Sequence, residues 1–164
     1  MNEENRNAVM EEEEDNKIAR PQKIYLKDVS FESPNSPDIF TQGWKPNLAV
    51  EIDSHASLIA DDSYDVVMKI TATVTVEGNT AFLAEVHQAG IFILKGFEND
   101  QLQRLHHVYC LRTLYPYASA ALSDLITKGG FPSLMLAPMN FAAIYAQRLK
   151  QAQSKGDNTD ATQH

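Results

Sequence analysis

The sequence predicts an α+β fold: a four-stranded antiparallel sheet with helices packed on one face. Two observations carry this. From about residue 23 to 94, large apolar side chains recur at every second position, the repeat of a half-buried strand. After "KGFEND" the spacing changes to threes and fours, the repeat of an amphipathic helix. Strands first and helices afterwards is the order of an α+β domain, whereas βαβ units would alternate.

The elements follow in order. "KIYLKDVSFE" (23–32) is the first strand, and "SPNSPDIF" after it is a proline-rich loop. "KPNLAVEIDSHASLI" (45–59) alternates Leu48, Val50 and Ile52 against Ala49, Glu51 and Asp53. "SYDVVMKITATVTV" (63–76) places Val66, Met68, Ile70, Ala72, Val74 and Val76 on one face, with Asp65, Lys69, Thr71, Thr73 and Thr75 on the other. "EGNT" (77–80) has turn chemistry, so "TAFLAEVHQAGIFIL" (80–94) returns as the antiparallel partner. Asn99 or Asp100 is then expected to cap a helix carrying Leu102, Leu105, Val108, Tyr109 and Leu111, which Pro116 interrupts or kinks. "YASAALSDLITKGG" continues in helical style and stops at its glycine pair. A last helix, "PMNFAAIYAQRLKQ", places Pro138 in its first turn. Residues 1–20, with the acidic block Glu11 to Asp15, read as a disordered tail; 21–152 form the folded domain, and the polar 153–164 a second tail.

A chain of 164 residues fits one domain. Its net charge of −8 argues against a binder of phosphate backbones, which would cluster Lys and Arg. Cys110 stands alone and forms no internal disulfide, which suits a reducing compartment. The acidic N-terminus is the reverse of a signal peptide, and no apolar run has the length of a membrane span. A soluble, cytoplasmic protein is the expectation.

Catalytic chemistry is hard to find. In "HHVYC" (106–110), His106 and Cys110 share a helical face at metal-compatible spacing, but two ligands do not make a zinc site. They read as structural residues of a partly buried helix. Asp61 and Asp62 sit where two strands should turn, so they read as loop residues. His55, Ser57 and Asp61 are close in sequence without any sign of convergent geometry, and no phosphate-binding or nucleophile-elbow motif accompanies them.

Two surface features remain. Taking the more apolar parity of each strand as inward, the outward set includes Glu51, Asp53, Asp65, Leu83 and Glu85, with Asp28, Ser30 and Glu32 on the first strand. Such a face is either an ordinary solvated sheet surface or a docking surface for a basic partner. The first and last strands also carry apolar residues on both parities, which points to a homo-oligomer or to recognition of apolar segments. "GGFPSLMLAPMNF" (129–141) adds to that surplus: its glycines and prolines forbid a regular element, yet it is rich in Phe, Leu and Met.

"IYLKDVSFESPNSP", "ADDSYDVV", "TAFLAEVHQAGIF", "LYPYA" and "GGFPSLMLAPMNFAAIY" together resemble the bacterial protein-export chaperone family SecB, in order, from about Ile24 to Leu149. The resemblance implies a homotetramer built as a dimer of dimers, without cofactor, metal or enzymatic activity. It implies a chaperone that holds unfolded precursors without ATP and passes them to the SecA motor ATPase, with neither nucleic-acid binding nor membrane insertion. By matching "KDVSFE" and "FLAEV", the SecA-docking residues fall on Asp28, Glu32, Leu83 and Glu85. Ala84, Val86 and Gln88 fall on the inter-subunit contact strand, where Ala84 departs from a cysteine common in the family. The client groove is expected to draw on Phe131, Leu134, Leu136 and Met139 of the loop, with Trp44, Leu48, Val50 and Ile52 as its other wall. A SecB-like chaperone of a toxin–antitoxin system is the alternative within the family; a single-partner binding protein is the alternative outside it.

Overall fold

The computed structural model describes residues 16–160. Four long strands, β1 (Ile18–Glu32), β2 (Pro46–Ala60), β3 (Ser63–Val76) and β4 (Asn79–Lys95), form one antiparallel sheet in the spatial order β1-β4-β3-β2. The two hairpins turn on two residues each. Glu77 and Gly78 both have positive φ, 49° and 81°, the backbone that matches strand twist in a tight hairpin. Asp61 and Asp62 close the β2–β3 hairpin, and the Asp62 carbonyl accepts the Leu94 N–H at 2.8 Å. The aspartate pair therefore is a loop, as its sequence context implies.

One long helical run follows: α1 (Asn99–Arg104), a widened π turn (Leu105–Cys110) and α2 (Leu111–Lys128). A ten-residue-plus loop then leads to α3 (Phe141–Asp160). Leu114, Leu122 and Ile126 of α2, fully buried, pack on Met68, Ile70 and Val86 of the central strands. Gly90 permits that approach: a Cβ there would lie 2.7 Å from the Phe92 ring and 3.1 Å from Leu114. The helices cover β3 and β4 most closely, so both edge strands keep apolar residues exposed on the helix side, Leu26 and Val29 on β1 and Leu48 and Val50 on β2.

Several boundaries differ from the sequence reading. β1 starts at Ile18, paired with Lys95, and so takes in residues expected in the tail; α3 runs to Asp160, past the boundary expected at 152. Residues 1–15 and 161–164 of the two expected tails lie outside the described residues. The first helix is capped by Glu98, not Asn99 or Asp100, through a reciprocal pairing with Gln101. Asn140 caps α3, its Oδ1 accepting the Ala143 N–H at 3.0 Å, which leaves Pro138 in the loop. Pro116 neither interrupts α2 nor ends it. Pro116 and Arg112 are both exposed, so water can serve the carbonyl that the missing N–H leaves free.

Candidate functional site

A cleft runs between the free edge of the sheet at β2 and the helices. Leu48 and Val50 stand open on the helix side of β2, and Ile52 sinks deeper, where it meets Leu111, Met139, Phe141 and Ile144 around one cavity. The far wall is the 131–140 loop. Its backbone is held by the Tyr115 hydroxyl, which donates to the Ala137 carbonyl at 2.5 Å. Leu134, Leu136 and Met139 are half-buried and pack on the core, leaving part of each side chain at the surface. Met135, not among the residues expected to contact clients, is 88% exposed. A thioether on a flexible stem suits contact with varied apolar partners.

Phe131 belongs elsewhere. It is buried at the centre of an aromatic cluster, 4.9 Å from Phe82 and from Phe40, 5.8 Å from Trp44 and 6.2 Å from Phe31 between ring centroids. The expectation that it offers surface to a client is corrected: its ring anchors the loop to the sheet. Gly129 lets the chain pass, since a Cβ there would fall 2.1 Å from the Phe31 ring. Exposed Phe40 and Trp44, tilted against the outside of this cluster, carry its aromatic surface to solvent; alternation does not mark Phe40, which lies in a 3₁₀ turn (Asp38–Thr41).

The opposite sheet face carries the carboxylates. Direct partners across a sheet point the same way, so the register builds three rungs across all four strands: Ala49–Thr73–Leu83–Glu32, Glu51–Thr71–Glu85–Ser30 and Asp53–Lys69–His87–Asp28. Asp28, Glu32, Leu83 and Glu85 thus fall on one patch, even though β1 shifts register between Leu26 and Asp28. Glu85 accepts from Thr71 Oγ1 at 3.1 Å and lies 2.7 Å from His87 Nε2. The hydrogen bond with His87 holds its carboxyl below the usual range, with Thr71 adding to the effect.

Asp65 does not join this acidic patch. It is buried, accepting from the Tyr25 hydroxyl at 2.6 Å and from Lys27 Nζ at 2.9 Å. The hydrogen bond to Asp65 raises both the Tyr25 and the Lys27 pKa. Around this clasp Lys23 faces Ile91 and Arg20 faces Ile93, so the face is acidic at one end and basic-apolar at the other. Alternation reported side, not neighbours.

Ala84, Val86 and Gln88 are also corrected. They point to the helix side and are buried inside the protomer; Gln88 donates to the Tyr25 carbonyl at 2.9 Å. Their side chains present no surface to another subunit, because β4 is a central strand under α2.

His106 and Cys110 are the buried residues of the π turn and face the core. Burial pushes the Cys110 thiol up to about 12. Burial lowers the pKa of His106 and of His107, helped by their mutual proximity in the first case and by Arg148 in the second. Among the described residues, no group of three or more His, Cys, Asp or Glu side chains gathers as for a metal ion, and no helix is long and apolar enough to cross a membrane.

Comparison with known proteins agrees with this arrangement. A family model described as preprotein translocase subunit SecB matches residues 12–152. The protein-export protein SecB of Nitrosococcus oceani is 50% identical over 137 residues, covering 82% of this chain and 84% of the relative. That of Hydrogenovibrio crunogenus is 49% identical over 146 residues, covering 88% and 98%. Among solved structures, a Mycobacterium tuberculosis SecB-like chaperone in complex with an antitoxin peptide superimposes with a TM-score of 0.63 at 16% identity, over 74% of this chain and 90% of that one. At that identity the likeness is one of fold.

Proposed function

This chain belongs to the SecB family, chaperones of protein export, and on that footing we propose that it is an ATP-independent holdase that binds non-native precursors along β2 and hands them to the SecA motor. The observation that carries the reading is the open apolar cleft: Leu48, Val50, Trp44, Phe40 and Met135 remain solvent-exposed beside a well-packed core. Large apolar side chains left exposed in that number are unfavourable unless something covers them. Each large client side chain buried there contributes about 1.5–3 kcal/mol, so several shallow contacts add to firm but unselective holding. The free edge of β2 offers main-chain donors and acceptors to any extended segment, whatever its sequence.

The patch of Asp28, Glu32, Leu83 and Glu85 is the SecA surface in this reading. Glu32 and Glu85 adjoin one exposed leucine and Asp28 lies two rungs along, a fit for a basic partner with an apolar anchor. Because it lies on the opposite side of the sheet from the cleft, client and motor bind without competing. Homotetramer assembly in the cytoplasm completes the proposal. It draws on the exposed helix-side residues of β1 and on its free edge, which an isolated protomer leaves unpaired. Export is preferred to antitoxin binding because relatives near 50% identity carry the export name, whereas the toxin-linked likeness rests on fold.

The test pairs two measurements. A denatured, slow-folding precursor is diluted with the chain in the absence of ATP, and SecA binding is followed by calorimetry. The wild type should retard refolding in a stable complex, and Asp28→Lys with Glu85→Lys should weaken SecA binding while client holding persists. Loss of both activities, or of neither, counts against two separate surfaces.

A further inference from the structure

On the acidic sheet face, His87 stands between two carboxylates of the docking patch. Asp28 is its direct partner across the strand pair, and Glu85 precedes it by two residues on the same strand. Its Nε2 lies 2.7 Å from Glu85 Oε1. A carboxylate can only accept, so this nitrogen carries the hydrogen and donates it. Thr71 Oγ1 donates to the other oxygen at 3.1 Å. Glu85 is therefore held by two donors, which use about half of a carboxylate's acceptor sites and leave the rest for a partner's cation. The His87 and Glu85 side chains are 27% and 32% exposed, so a docked protein can touch both.

We propose that His87 is a positioning residue of this patch and that it makes docking of a basic partner depend on pH. With a neutral ring it holds the Glu85 carboxylate in place and leaves the negative charge uncancelled. When a second proton enters at Nδ1, the Nε2 bond persists, but the ring now carries a charge that offsets Glu85 and repels the partner's cation. The inference rests on the reading of this patch as the SecA surface and adds a control to it.

The groups around the ring set the sign. From β1 comes Asp28, directly opposite; from β3 come Lys69, the direct partner on the other side, and Thr71 on the next rung. From β2 comes Asp53, opposite Lys69, and β4 itself supplies Glu85. Lys27 is engaged with Asp65 further along the face. His55, the other histidine on this side, pairs with Val67 on β2, two strands away. Lys69 already attracts Glu85, so an imidazolium adds a second cation among the acids that a basic partner must use. The hydrogen bond with His87 holds the Glu85 carboxyl below the usual range, so it stays ionised between pH 8 and 6. Histidine is the side-chain type whose charge changes in that window. Docking therefore tightens as pH rises, and it releases protons.

SecA binding to the full chain, followed by calorimetry at low salt at pH 8.0 and 6.0, tests this with three proteins. On acidification the wild type should lose about two- to fivefold more affinity than His87→Gln, whose amide keeps a donor and takes no proton. Comparing the two cancels SecA's own titration. His87→Ala should bind about two- to threefold more weakly than wild type at pH 8.0, and His87→Gln should recover that loss because it holds Glu85 again. If the Gln variant does not fold, wild-type calorimetry at pH 6.5 in buffers of unlike ionisation heat reads the same proton, which docking should release. An equal pH response in wild type and Gln variant, or no proton release, overturns the pH control. An Ala variant that binds like wild type at pH 8.0 overturns the positioning role. Both of those outcomes leave the docking patch standing. Failure of SecA to bind the wild type at either pH overturns the docking reading itself, and this proposal with it.

Discussion

Replacing Leu48 and Val50 together with threonine removes apolar surface from the cleft while keeping side chains that favour a strand. The size of the effect follows from what the fold leaves open. Leu48 is 44% exposed and Val50 37% exposed, so a client can still gain about two-fifths of the roughly 2 kcal/mol that full burial of each side chain provides. That is about 0.8 kcal/mol apiece, and threonine retains a methyl group, so the pair should lose roughly five- to tenfold in client affinity. Stability should barely move, because both residues sit on an exposed edge; a shift in melting temperature within about 2 °C is expected. The assay is retardation of refolding of a denatured precursor across a titration of chaperone, with melting followed by circular dichroism. An unchanged apparent Kd in the folded variant refutes the cleft as the client site. A large fall in melting temperature refutes the premise that these side chains are surface.

Within the loop, two neighbouring hydrophobic residues should behave oppositely. Phe131→Ala empties the centre of the aromatic cluster and should cost about 3–5 kcal/mol, near 10 °C in melting temperature, whereas Met135→Ala, at 88% exposure, should leave melting unchanged and weaken client holding. If Phe131→Ala melts like the wild type, its assignment to the core fails. Cys110 should resist alkylation in the native protein at pH 8.5, because burial pushes its thiol up to about 12 and excludes the reagent. Its folded pKa exceeds the unfolded one, so its contribution to stability is complete below the unfolded value and lost as pH climbs toward about 12. Rapid native labelling would show that the π turn opens.

Much of the fold was legible because strand alternation is a local signal. The parity of β3 and β4 assigned Val66, Met68, Ile70, Ala72, Val74 and Val76, and Leu83 and Glu85, to their observed sides, since a half-buried strand must segregate its residues at every second position. The same signal placed Asp28 and Glu32 on the side of Leu83, and the register then made Glu32 its direct partner and set Asp28 opposite His87, two rungs along. Helix caps were less legible: Glu98 and Asn140 outcompeted the expected residues through side-chain bonds to backbone N–H groups, and several nearby polar residues were chemically eligible.

What the sequence by itself determined is therefore the strand order along the chain, the side faced by residues of the regularly alternating β3 and β4, and the presence of more apolar surface than one core needs; the two register shifts of β1 lie outside that signal. Tertiary structure decided which of those residues are spare. Phe131 and Met135 are equally apolar in sequence, yet one is walled in by four aromatic rings and the other meets solvent. Asp65 and Glu85 share a sheet face, yet Lys27 reaches one of them from a shifted edge strand. Ala84, Val86 and Gln88 are buried because β4 lies between β1 and β3, an order set by long-range pairing that no local pattern encodes. Burial and charge pairing depend on neighbours distant in sequence, and only the packed chain brings them together.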